Sequence, residues 1–253
     1  MRRLAVASRR TRGHSQAMCG RFGLSRPDKL KLERFGIVGL PEGIRPRFNI
    51  APGTPALVVR ERKGERDAGM LRWGLVPWWA QSPAVGARMA NARADNAFTK
   101  PAFRDSMRLR RCLIPADVFY EWQAVPGSRR KQPWAIGLGS GEPFALGGLW
   151  DFWRPKDGGE GLATFAILTT APNALLAPIH DRMPVIIPAD RYLTWLDPRT
   201  PDPGVAEFVR AFPSELMKAW TISPRVNKAD EDDAGLLEPA SPPVTQNEQL
   251  ELG

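Results

Sequence analysis

The sequence has only two cysteines, Cys19 and Cys112, and only two histidines, His14 and His180, in 253 residues. Two cysteines can form at most one disulfide, and so few Cys and His leave no room for a four-ligand zinc site. No metal and no cofactor is implied. No apolar run approaches the roughly 18 residues that a membrane helix needs. The N-terminus lacks the roughly 7–15-residue apolar stretch of a signal peptide. These absences point to a cytoplasmic chain with reduced thiols and no membrane partner. Gly139-Ser140-Gly141 is not followed by Gly-Lys-Ser/Thr, so it reads as a hairpin turn rather than a phosphate loop. No internal repeat is present.

What is present is a 43% hydrophobic composition, enough to fill one core, and a net charge of +9. Residues 1–17 hold five arginines, no acid and no hydrophobic period. The tail from Pro239 is polar and Pro-rich, and is expected to be disordered. The remaining body is itself basic, which suits a polyanionic partner. β-branched and apolar runs predict strands over 56–60, 70–76, 118–122, 134–138, 144–153, 165–170, 185–187 and 220–223. A polar turn over 63–68 makes the first two a hairpin. Short helices are predicted over 27–35, 103–109, 188–196 and 203–212.

Within this frame a few residues carry chemistry. Met18 directly before Cys19 could be a translation start that leaves cysteine as residue one. Cys19 would then hold an α-amine and a thiol, with ordinary pKa values of about 7.7 and 8.5, both partly nucleophilic near neutral pH. Together they can close an aldehyde into a thiazolidine ring, whereas a buried packing thiol is the plainer alternative. Trp78 and Trp79 are adjacent, so a strand would turn them to opposite sides and leave one exposed, either covering the core edge or stacking on bases. Glu121 lies among aromatics in 118–122, where desolvation favours the neutral acid that general acid/base work near pH 7 uses; an outward-facing glutamate is the alternative. His180, beside Asp181 and Arg182, suits proton transfer or a structural bond to backbone. Asn91-Ala92-Arg93 taken alone is a solvated turn.

Six ordered blocks resemble the SOS response-associated peptidase family: Met18-Cys-Gly-Arg-Phe, Phe48-Asn-Ile-Ala-Pro, Trp73-Gly-Leu-Val-Pro, Asn91-Ala-Arg-Ala, Arg111-Cys-Leu-Ile-Pro-Ala-Asp with Phe119-Tyr-Glu-Trp, and His180-Asp-Arg-Met-Pro. The resemblance spans Met18 to about Glu238. It implies a single compact α+β domain over residues 18–238, built on a curved, barrel-like, mostly antiparallel sheet with peripheral helices. Residues 1–17 would be an extension and 239–253 a tail. It also implies a monomer that senses abasic sites in single-stranded DNA, in the DNA damage response, and cross-links to them through Cys19. Asn91, Glu121 and His180 would be the other active-site residues. Arg21, Arg93 and Arg182 would hold phosphates, and Trp79 with Trp78 would wedge or stack at the bases. A lyase side reaction, a thiol peptidase using Cys19, Glu121 and His180, and a non-covalent single-strand binder are the alternatives. The 17 residues before Met18 depart from the family pattern. They are a misassigned start, a cleaved segment, or a persistent block on the amine.

Overall fold

Five strands close on themselves into a ring in the computed structural model, which describes residues 20–240. Residues 1–19, Cys19 among them, and 241–253 lie outside the described residues. The ring is built from β3 (Pro55–Arg62), β4 (Glu65–Trp73), β6 (Arg111–Ala116), β9 (Phe144–Trp153) and β10 (Leu162–Thr170). Neighbours run β3–β4–β10–β9–β6 and back to β3. A closed ring with an odd number of strands cannot alternate direction all the way round, so at least one pair must be parallel. Here that pair is β4–β10, in register at Arg72 with Thr164 and Trp73 with Phe165. Inside the ring Trp73, Cys112, Ile114, Leu146 and Phe165 pack together. Outside it Leu113, Leu149 and Leu168 meet the short helices α3 (Arg104–Leu109) and α4 (Tyr192–Leu196). Both faces of β6 are thus covered, and all six of its residues are buried.

The parallel seam has a second part. β4 stops at Trp73, the chain leaves as a loop over 74–90, and β5 (Asn91–Arg93) resumes beside β10 in the same sense, Asn91 opposite Ile167. The Gly74 N–H donates to the Phe165 carbonyl at 2.8 Å and the Leu75 N–H to the Met89 carbonyl at 3.0 Å, so the loop's two ends meet. At this neck Gly74 has φ +125°, and a Cβ there would lie 2.7 Å from the Gly86 carbonyl oxygen. A Cβ on Gly86 would lie 2.6 Å from the Gly74 oxygen. Only two glycines let the backbones approach this closely.

A second, antiparallel sheet runs β2 (Arg47–Ile50), β1 (Arg21–Leu24), β7 (Val118–Ala124), β8 (Lys131–Leu138) and β13 (Met217–Thr221). The chain crosses from ring to second sheet between β6 and β7 at Asp117. That buried carboxylate accepts from the Ser25 N–H, the Ser25 hydroxyl and the Arg26 N–H at 3.0, 2.9 and 2.8 Å. The two-residue strands β11 (Met183–Pro184) and β12 (Ile186–Ile187) add to β10 and β9. The architecture is the single α+β domain on a curved, mostly antiparallel, barrel-like sheet that the sequence led one to expect.

The details differ in instructive ways. The turn over 63–68 shrinks to Lys63 and Gly64, with φ of 56° and 83°. Two consecutive positive φ values form the hairpin turn whose twist matches its strands, so β3 and β4 run on to eight and nine residues. The helix over 27–35 is broken into a 3₁₀ turn, Pro27–Lys29, and α1 (Leu32–Phe35), which Gly36 ends at φ 66°. Of the segment over 203–212, only α5 (Asp202–Ala206) is α-helical. At the far end Ala240 is still paired, its N–H donating to the Thr221 carbonyl at 2.9 Å.

The neck makes a stability prediction. Gly74→Ala should lower the unfolding free energy by about 2–3 kcal/mol, because strain and backbone overlap coincide. Gly53→Ala, at φ +88° but with no atom within 4 Å of the new Cβ, should cost only about 1 kcal/mol. Urea unfolding of the two variants checks the difference.

Candidate functional site

A cleft of about 880 Å³ is lined by Gly20, Arg21, Pro52, Glu121, Trp122, Arg129, Arg130, Lys131, His180, Pro224 and Asn227. β7 delivers Glu121, only 2% exposed and directly opposite Trp134 of β8. His180 arrives on a loop whose root is the fully buried Leu176, and its own N–H donates to the Leu176 carbonyl at 2.9 Å. The His180 Nε2 lies 3.9 Å from the Glu121 Oε2.

Two groups compete at the other imidazole nitrogen. The Arg182 backbone N–H donates to Nδ1 at 3.1 Å, which places the ring proton on Nε2, toward Glu121. The Asp181 carboxylate also sits 3.0 Å from Nδ1 and would favour the charged ring, but it is 85% exposed and water weakens its pull. Burial prevails and lowers the His180 pKa below its ordinary value; Lys131 adds to the lowering and Asp181 opposes it. His180 is therefore neutral at pH 7, with the tautomer set by the Arg182 N–H.

One wall of the cleft is held by Asn49, which is 1% exposed. Its amide nitrogen faces the carbonyls of Val226, Lys228 and Glu231 at 3.2, 2.9 and 2.8 Å. Arg21 fills the same corner, donating to the Asn49 Oδ1 at 2.9 Å and to the Val226 and Asn227 carbonyls at 2.8 and 3.1 Å. Trp122 closes the wall by donating from its indole to the Asn227 Oδ1 at 2.7 Å.

Asn91, Arg93 and Arg182 gather at the C-terminal end of β10, because β5 and β11 both pair there. Arg93 is exposed and grips Asp95 at 2.8 Å, which lowers the Asp95 pKa. Arg182 is 8% exposed; its guanidinium donates to the Thr169 carbonyl at 2.5 Å and reaches Asp95 at 3.4 Å. None of these three lines the cleft.

Trp78 and Trp79 do not line it either. They stand on the 74–90 loop, 61% and 46% exposed. Between its ends that loop is pinned by the Val76 N–H to the Thr164 hydroxyl at 2.8 Å, the Trp153 indole to the Ala80 carbonyl at 2.8 Å, and the Trp78 N–H to Asp151 at 3.1 Å. Burial raises the Asp151 pKa even though Arg110 lies 3.3 Å away. Cys112 packs inside the ring with 0% exposure, which pushes its thiol pKa far up and leaves it inert. Among the described residues no group of three or more His, Cys, Asp or Glu could hold a metal ion. Among the same residues no helix is long and apolar enough to cross a membrane.

Sequence reasoning passed over Trp122, Arg129, Arg130, Lys131 and Asn227. A signal existed for the cations, since Arg129-Arg130-Lys131 is a basic run at the tip of the hairpin whose first strand bears Glu121. All three are exposed, and none forms an ion pair among the described residues. By contrast Arg47, Arg60, Arg110 and Arg225 each hold a carboxylate.

Fold and site together define a class, a closed five-strand mixed barrel with a second sheet and a basic cleft holding a Glu–His pair. The family model of the SOS response associated peptidase (SRAP) matches residues 18–229. The chain belongs to that family. It is 38% identical over 224 residues to the abasic site processing protein YoqW of Bacillus subtilis, covering 87% of this chain and 99% of that protein. It is 29% identical over 227 residues to the abasic site processing protein HMCES of Gallus gallus, covering 77% and 66%. A crystal structure of a Bacteroides thetaiotaomicron protein superposes with a TM-score of 0.70 at 27% identity, covering 77% of this chain and 85% of that one.

The lowered His180 pKa has a stability consequence of definite sign. Below about pH 6.5 the unfolded chain takes up a proton that the folded imidazole resists, so stability falls with pH from there to the lowered native value. Urea unfolding between pH 7.5 and 5 should show this loss in the native protein, and His180→Gln should flatten the curve over that window.

Proposed function

We propose that this chain captures abasic sites in single-stranded DNA, with Cys19 as N-terminal residue condensing with the aldehyde of the ring-opened deoxyribose. The observation that carries the reading is the Glu121–His180 pair, 3.9 Å apart, in a cleft whose lining begins at Gly20, the residue bonded to Cys19. Relatives named abasic site processing proteins supply the substrate class. The chemistry closes without a co-reactant. The α-amine adds to the aldehyde carbon, the carbinolamine loses water to give an imine, and the thiol sulfur adds to the imine carbon as its proton passes to nitrogen. One water leaves and a thiazolidine remains.

Glu121 moves the protons of these steps, and the His180 Nε2–H bonds the sugar oxygen as the ring opens. Asn91 orients the sugar or the cysteine. Arg21 shapes the floor beside the phosphates and Arg93 meets a phosphate directly. Arg182 acts through Asp95, which it shares with Arg93. Trp79, with Trp78, stacks on bases, a contact worth about 1–3 kcal/mol per base. The acting species is a monomer lacking residues 1–18, since only then is the amine free. Elimination from the imine, with Glu121 or His180 as base, would give a lyase side reaction.

A denaturing gel with a single-stranded abasic oligonucleotide tests this. Protein beginning at Cys19 should give a heat-stable adduct, while full-length protein and Cys19→Ala should give none. An adduct from Cys19→Ala overturns the reading.

Arg129 and Arg130 are two of the three exposed cleft cations, with Lys131, that are available to phosphates. Each single-strand phosphate contact contributes about 0.7 to the slope of log affinity against log salt. Replacing both with alanine should flatten that slope by about 1.4, measured by fluorescence anisotropy between 50 and 300 mM salt, roughly the range over which such contacts are screened.

A further inference from the structure

Two residues beyond Glu121 on β7, and so on the same face of the strand, Gln123 makes two side-chain hydrogen bonds. The Trp134 indole N–H donates to its Oε1 at 3.1 Å. Its Nε2 donates to the Pro178 carbonyl at 3.0 Å. The first bond fixes the second. An indole N–H can only donate, so the amide must turn its oxygen to Trp134 and its nitrogen outward. Trp134 is in turn the residue directly opposite Glu121, which ties the orientation of the amide to the strand pair that carries the carboxylate.

Pro178 lies between the two points that define the His180 loop. Leu176, fully buried, roots it, and His180 ends the turn through its N–H to the Leu176 carbonyl. Asn173 anchors the loop on the far side of Leu176 from His180, donating to the Phe212 carbonyl at 2.7 Å, and beyond His180 the Arg182 guanidinium anchors it to the Thr169 carbonyl on β10. Between Leu176 and His180 the Gln123 amide ties the loop to β7.

We propose that Gln123 is the positioning residue of the Glu121–His180 pair, holding the histidine loop against β7 so that Nε2 faces the carboxylate. The proposal rests on the reading of that pair as the proton-transfer groups, but its structural half is tested without DNA. Loss of the tie lets the loop lift, which hydrates the imidazole and shifts the balance of the groups facing it. Those groups are Glu121 from β7, Lys131 from β8, and Asp181 and the Arg182 N–H from its own loop.

The experiment compares the native protein with Gln123→Leu and Gln123→Glu. The first removes both bonds. The second keeps an acceptor for Trp134 and replaces the donor to Pro178 with an oxygen, so it guards against a packing failure in the first. The His180 imidazole is titrated by proton NMR, assigned by its loss in His180→Gln. Its pKa should rise toward the ordinary value in both variants, with the urea midpoint of Gln123→Glu close to native. In protein beginning at Cys19, the rate constant for adduct formation at saturating abasic oligonucleotide should fall about tenfold, a modest effect for a displaced catalytic group. DNA affinity should stay within twofold. An unmoved His180 titration in either folded variant overturns the proposal, as does a native rate constant. If the native protein forms no adduct, the capture reading fails, and the titration alone then decides whether Gln123 holds the loop.

Discussion

Several residues singled out from the sequence, although none of them lines the cleft, depend on the parallel seam that a five-strand ring cannot avoid. β4 does not accompany β10 along its whole length; it gives out at Trp73 and is replaced by β5. A loop carrying the exposed tryptophans leaves at that break, and Asn91 and Arg93 return at it. β11 adds to the same end of β10 and brings Arg182. Trp78, Trp79, Asn91 and Arg93 are therefore placed by one topological discontinuity, with Arg182 brought to the same end of β10. The strands around it form a closed hydrogen-bonded ring that resists deformation, so the loop and the returning strand stand on a rigid base.

The second organising element is polar. Asn49 and Asp232 between them bind the segment after β13 to β2, the carboxylate accepting from the Phe48 and Asn49 N–H groups at 2.5 and 2.9 Å. That segment supplies Pro224 and Asn227 to the cleft. Several arginines of the body do structural duty of this kind, as Arg111 does by donating to the carbonyls of Trp195, Met107, Arg108 and Asp197. Net charge is thus a poor guide to where an anion would bind. The cations left without carboxylates at the cleft are a small subset set by the β7–β8 hairpin.

How much of this was legible in the sequence varies with physical cause. Long strands with a clear run, such as β9 and β10, stood out, and Glu121 stood out because it interrupts an apolar strand. β6 did not, since burial on both faces removes alternation and Pro115 argues against a strand. β1, β2 and β5 are too short to carry a period. The meeting of Glu121 with His180, 59 positions apart in the chain, was available only through resemblance, because nothing local encodes a contact between a strand and a distant loop. Arg182 shows the converse. Its place in a block implied a phosphate contact, and the packing adds a buried guanidinium bonded to Thr169 and Asp95.

Cys112 lies at the centre of the ring, its sulfur so close to β9 that a Cβ on Gly148 would come within 3.1 Å of it. A reagent that alkylates thiols can reach this atom only when the strands part. The residue is thus a built-in clock for barrel opening. The rate at which a small alkylating agent consumes it under native conditions, divided by the rate for an unhindered thiol, gives the fraction of molecules open at any moment. Because the ring also carries the seam, that fraction measures how often the ground beneath the tryptophan loop, Asn91 and Arg93 gives way.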